Sequence, residues 1–82
     1  MTYRLRLDPT VHAIYAALPE QARRDIAVIL LDALEDPLAH STPYGEDDGI
    51  MRTLAHGYVA LAALIGHESR TITVVQINYV GR

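Results

Sequence analysis

Three side chains that could do chemistry lie close together in this sequence, Arg52, His56 and Tyr58, and a fourth, Arg82, stands at its end. An imidazole titrates near neutrality, so His56 suits general-base work; the other reading is a polar residue in a turn. The guanidinium of Arg52 can hold a phosphate, or pair with Asp47 or Asp48 across a loop. Tyr58 can stack on a nucleic-acid base or pack at the rim of a core. Arg82 is a further cation, or a charged tail beside a terminal carboxylate.

The remaining polar residues point to less. His12, His40 and His67 are scattered at spacings that suggest no metal site. The acidic run Glu46-Asp47-Asp48 does not fit an EF-hand loop and reads as a solvated loop. There is no cysteine, which excludes disulfides and thiolate metal sites. The net charge is −3, and all seven basic residues are arginines. Phosphate contacts dominate nucleic-acid affinity, so such binding would need a local arginine cluster on an acidic body. No apolar run approaches the ~20 residues of a membrane span, and the N-terminus lacks the apolar block of a signal peptide. The expectation is a soluble intracellular protein with one domain over residues 1–82.

The elements that must position these residues can be read from periodicity. Tyr3, Leu5 and Leu7 alternate with Arg4 and Arg6, a half-buried strand with its arginines outward. Such charges also discourage association along a sheet edge. Asp8-Pro9 is a helix start. Val11, Ile14, Tyr15 and Leu18 form one helical face ending at Pro19. The spacing predicts a second helix over Glu20–Asp36, stopped by Pro37. Its stripe is Ala22, Ile26, Ile29, Leu30, Ala33 and Leu34, and Val28 and Leu31 widen the apolar arc beyond one face. Leu38 to Gly49 is rich in turn residues and reads as a loop.

Ile50–Ala55 reads as a strand and His56-Gly57 as a hairpin turn. Tyr58–Ile65 is apolar throughout, which predicts a central strand covered on both faces. After the turn Gly66–Ser69, Thr71–Val80 is rich in β-branched residues and strand-like. The expected fold is α+β, ordered β-α-α-β-β-β. It has an antiparallel meander, the first strand in the same sheet, and both helices on one face.

Four stretches together resemble the RelE/ParE superfamily of toxins from type II toxin–antitoxin systems. They are the strand ending in Leu7-Asp8-Pro9, the helix running from Leu18-Pro19-Glu20 to Pro37, the segment Arg52 to Tyr58, and the closing Val74 to Arg82. The resemblance spans nearly the whole chain. It implies a cytoplasmic toxin neutralised by a cognate antitoxin. RelE-like members cut mRNA in the ribosomal A site without a metal, and ParE-like members inhibit DNA gyrase.

Cleavage of RNA requires an activated 2′-hydroxyl, a stabilised pentavalent phosphate and a protonated leaving oxygen. The resemblance implies Arg52, His56 and Arg82 as catalytic residues, Arg52 and Tyr58 as substrate contacts, and no cofactor or metal. The sequence departs from the family pattern in having Val59 where the signature has an arginine. It also has no lysine, and no tail follows Arg82. A ribosome-dependent mRNA interferase with a reduced active site is one expectation. The alternative is a non-catalytic protein of the same fold, gyrase-directed or serving to bind an antitoxin or other partner. The expected partners are an antitoxin or a second copy of the chain, and the ribosome with mRNA or gyrase, with no membrane. The extra apolar residues Val28 and Leu31 mark the surface for association.

Overall fold

The computed structural model describes residues 2–80. Strand β1 (Arg4–Leu7) leads into helix α1 (Pro9–Ala17). Asp8 caps α1 by accepting the Val11 N–H at 2.8 Å, and Pro9 occupies the first turn, where no N–H is needed. Helix α2 (Glu20–Glu35) follows directly. Its turn from α1 is tied by Arg23, whose Nη1 donates to the carbonyls of Ala16 at 3.3 Å and Leu18 at 2.9 Å. These are orphan carbonyls at the end of a short helix that carries no basic residue in its own last turn.

The sheet has five strands in the order β1-β5-β4-β3-β2, with β2 (Thr42–Pro43), β3 (Met51–His56), β4 (Val59–Gly66) and β5 (Thr71–Tyr79). The three long C-terminal strands form the expected meander. The sheet as a whole is mixed, because β1 runs parallel to β5. Two hairpin reversals bring β5 back to the direction of β3, and the helical pair returns the chain to the end where β1 began. The second difference is β2, which lies within the segment read as loop and pairs with β3 through Thr42↔Thr53 and Pro43↔Arg52. Pro43 has no N–H to offer a further strand, which blunts this edge.

Both helices pack on one face. Ala22, Ile26, Ile29 and Ala33 of α2 and Val11 of α1 meet Leu54, Val59, Leu61, Ala63, Ile65, Ile72 and Val74 of the sheet in a single core. Val28 and Leu31 are exposed, at 42% and 68%. The expectation that β4 is covered on both faces does not hold. Val59, Leu61, Ala63 and Ile65 meet the helices, while Leu64 is 40% exposed on a face that no described residue covers. The run lacks polar residues because Ala60 and Ala62 are small enough to lie shielded between their cross-strand neighbours.

β5 changes phase midway. Ala62 pairs with Gln76 and Ala63 with Val74, which leaves Val75 as an extra residue. This β-bulge shifts the inward side chains from Ile72 and Val74 to Ile77 and Tyr79.

Candidate functional site

Arg52 lies on β3 opposite Ala63, so its side chain enters the helix-covered face and is 7% exposed. Its Nε donates to Ser41 Oγ at 2.8 Å, and Nη2 donates to the Ser41 carbonyl at 2.9 Å and the Leu38 carbonyl at 3.4 Å. Nη1 donates to Asp47 Oδ1 at 3.2 Å. The guanidinium therefore uses its fork of donors on the segment between α2 and β3. Of the two partnerships open to Arg52 in the sequence, the structure shows the one with Asp47.

His56 is the last residue of β3, not part of the turn. The two-residue loop is Gly57-Tyr58. Gly57 has φ +61, the sign that the first central position of a tight hairpin turn requires. An added Cβ there would lie 2.5 Å from Asp25 Oδ2 of α2, so a larger residue would have to displace that carboxylate as well as adopt the positive φ. The same carboxylate stands 3.9 Å from His56 Nε2 and accepts from Gln21 Nε2 at 3.2 Å. Asp25 is largely shielded and His56 is half exposed, so the carboxylate faces the imidazole at the rim of the core without a direct hydrogen bond. The Tyr58 ring projects from the hairpin tip, 67% exposed. It is free to stack and takes no part in the core.

The structure does not bring these candidates to one point. Arg52 and His56 lie on the same face of β3, four residues apart, which is about 13 Å along a strand. Leu54 stands between them in the core. Arg82 lies outside the described residues. Among the described residues, no group of three His, Cys, Asp or Glu side chains could hold a metal ion.

Two arginines that the sequence suggests only as edge charges occupy the bare face. Arg4 pairs with Thr71 and Arg6 with Thr73 in the parallel ladder, on the side of β1 opposite Leu5 and Leu7. They line a depression of about 720 Å³ with Ser69, Thr71, Thr73, Leu64 and Ile50. The period-two pattern of β1 was the available signal, because it placed both arginines off the helix face. At the rim toward β3, Asp48 Oδ1 accepts the N–H groups of Ile50 and Met51 at 2.9 and 3.2 Å. These bonds, made to its charged form, hold the carboxyl below the ordinary aspartate range.

On the opposite face, α1 lies against β5 and β1, and α2 against β3 and β4. Between them opens an apolar groove of about 310 Å³, lined by Leu5, Leu7, Tyr15, Ala27, Leu30 and Ile77 among others.

Neither a family model nor a curated protein matches this sequence. Solved structures do match in fold. A chain of the toxin–antitoxin complex RelBE2 from Mycobacterium tuberculosis superposes with a TM-score of 0.84 at 17% identity, over 98% of this chain and 100% of that one. The isolated RelE toxin of E. coli gives 0.79 at 18% identity, over 98% and 86%. A chain of the archaeal RelE–RelB complex from Pyrococcus horikoshii gives 0.73 at 15%, over 100% and 99%.

Proposed function

We propose that this chain, which has the RelE toxin fold, is the toxin component of a toxin–antitoxin pair. It acts in the cytoplasm as a RelE-like, ribosome-dependent mRNA interferase of reduced activity. The observation that supports this most is the likeness in fold to chains of RelE–RelB type complexes, which extends over 98–100% of this chain. E. coli RelE has also been solved with an antitoxin peptide bound. In this chain the partner is a cognate antitoxin, and its apolar segment rests in the groove between α1 and α2.

Under this reading the chemistry is divided. His56, which faces the Asp25 carboxylate at 3.9 Å, is the proton-transfer group. Tyr58 offers a base-stacking ring. Arg52 acts as a strut for the segment that precedes β3, and Arg82, outside the described residues, supplies a further cation.

A specific observation favours the second reading, a partner-binding protein without nuclease chemistry. The signature position after Tyr58 is Val59, which is buried, and the guanidinium of Arg52 is engaged internally. The deciding experiment is expression of the chain alone, followed by mapping of mRNA ends on translating ribosomes. Codon-phased cleavage that weakens in His56→Ala supports the interferase. Growth arrest without new mRNA ends, reversed by the neighbouring gene product, supports the non-catalytic toxin. No effect on growth or translation removes both.

A further inference from the structure

We propose that the bare face of the sheet binds the backbone of a single-stranded polynucleotide along β1, with Arg4 and Arg6 as its phosphate contacts. Four of the other arginines are engaged elsewhere. Arg23 holds carbonyls of α1, Arg24 pairs with Glu20 at 2.9 Å, Arg52 is buried, and Arg70 lies over the Tyr3 ring at 5.7 Å. Arg4 and Arg6 are exposed, and among the described residues neither meets a carboxylate. They stand two residues apart on one side of a strand, roughly 7 Å from each other, a spacing that can follow successive phosphates of an extended chain.

Thr71 and Thr73 lie directly beside the two arginines in register, and Ser69 closes one end. The Thr71 and Ser69 hydroxyls donate to the Ser69 and Gly66 carbonyls, so Thr73 is the hydroxyl left to donate beside Arg6. Beyond them, Leu64 and Ile50, 40% and 47% exposed, form an apolar shelf in the same depression. A strip of cations and hydroxyls beside an apolar shelf matches a polymer with phosphates along one side and unpaired bases along the other. A duplex, which presents phosphates outward and hides its base faces, does not match it. The carboxylate of Asp48, bonded to the N–H groups of Ile50 and Met51, adjoins the shelf on the side away from β1. It repels phosphates there and so orients the strand with its backbone on β1. RNA is chosen over DNA on the reading proposed above; the arginine strip itself requires only a single-stranded phosphodiester.

The test is fluorescence anisotropy of a labelled twelve-nucleotide RNA, the DNA of the same sequence and the RNA duplex, each titrated at several salt concentrations. The expected result is tighter binding of single strands than of duplex. Arg4→Gln with Arg6→Gln should lower affinity at least about tenfold at low salt. It should flatten the salt dependence by about 1.4 log units per log unit, at roughly 0.7 for each lost phosphate contact. Arg4→Lys with Arg6→Lys should retain most of the affinity, and Arg24→Gln should bind like the parent chain. The residues are exposed, and circular dichroism of each variant verifies the fold.

An unchanged affinity or salt slope in the double Gln variant overturns the proposal, as does an equal loss in Arg24→Gln or preference for the duplex. Aggregation of the double Gln variant with RNA binding intact assigns the arginines to edge protection alone and also overturns it. DNA bound as tightly as RNA supports the proposal and identifies the phosphodiester as the recognised chemistry. Binding through Arg4 and Arg6 in a chain that cleaves no mRNA leaves this inference standing while the interferase reading falls. Ribosomal cleavage undiminished by the double Gln substitution does the reverse.

Discussion

The side chains with the greatest chemical potential in this protein are divided between holding the fold and facing solvent. Arg52 belongs to the first group. Truncating it leaves the Ser41 and Leu38 carbonyls without their donors, so Arg52→Ala should destabilise the domain by about 1–3 kcal/mol in urea denaturation. Arg52→Lys should rescue little, since one ammonium cannot replace the planar fork. Asp47 is 77% exposed, and Asp47→Asn should cost less than about 1 kcal/mol. A second residue-scale outcome concerns acid. The pKa of Asp48 is lower in the folded chain than in the unfolded chain, so its ionised form adds stability above the ordinary aspartate pKa. That contribution is lost as pH falls through the folded value, below about pH 4. Stability curves of Asp48→Asn and the parent chain should therefore converge on acidification and separate toward neutrality.

At the scale of elements, α2 and the central strands carry the core. Ile26 is 2% exposed and Ala33 fully buried. Ile26→Ala should cost about 2–5 kcal/mol. Ala33→Leu should cost about 1–3 kcal/mol by forcing helix and sheet apart. Leu31→Asp, on the exposed side of the same helix, should stay within about 0.5 kcal/mol of the parent. Thermal or urea melts of the three variants separate these cases. Equal losses at Ile26 and Leu31 would show that α2 is rotated from the position described. The β3–β4 hairpin has its own constraint: Gly57→Ala meets both an unfavourable φ and the Asp25 carboxylate, and should destabilise the chain by about 1–3 kcal/mol.

For the whole molecule, the consequence of a two-layer design is that two surfaces stay uncovered. The sheet has one bare face, and the helices leave an apolar groove. In so small a domain a bound partner contributes a large share of total stability. On the toxin reading proposed above, addition of the antitoxin at a hundredfold excess over its Kd should raise stability by about 2.7 kcal/mol. Ala27, exposed on α2 and lining the groove, is the residue to test. Ala27→Arg should leave the melting temperature of the free chain nearly unchanged and abolish the antitoxin-dependent rise, measured by thermal denaturation of the mixture. A rise that survives Ala27→Arg would move the antitoxin off this groove. Light scattering at micromolar concentration distinguishes this partner from a second copy of the chain meeting at Val28 and Leu31.

The sequence by itself determined the order of the long elements, the inward stripe of α2 and the exposure of Val28 and Leu31, but not the face of α1, where Val11 is buried and Ile14 is 41% exposed. The features it determined follow from local periodicity and from the stops at Pro19 and Pro37, which act within a few residues. It did not determine that β1 is parallel to β5, nor that Thr42–Pro43 forms a strand, because both depend on pairings between distant segments. The all-apolar run of β4 was misleading in one respect: periodicity cannot distinguish a covered face from one where alanines are shielded by neighbours. The functional residues divide the same way. Arg52 and His56 were visible as residue types, but only the register of β3 placed them about 13 Å apart on the helix-covered face. Arg4 and Arg6 alternate outward in the sequence as plainly as any solvated charge. What the tertiary structure added is that the face they point to has no other cover, because both helices pack on the opposite side.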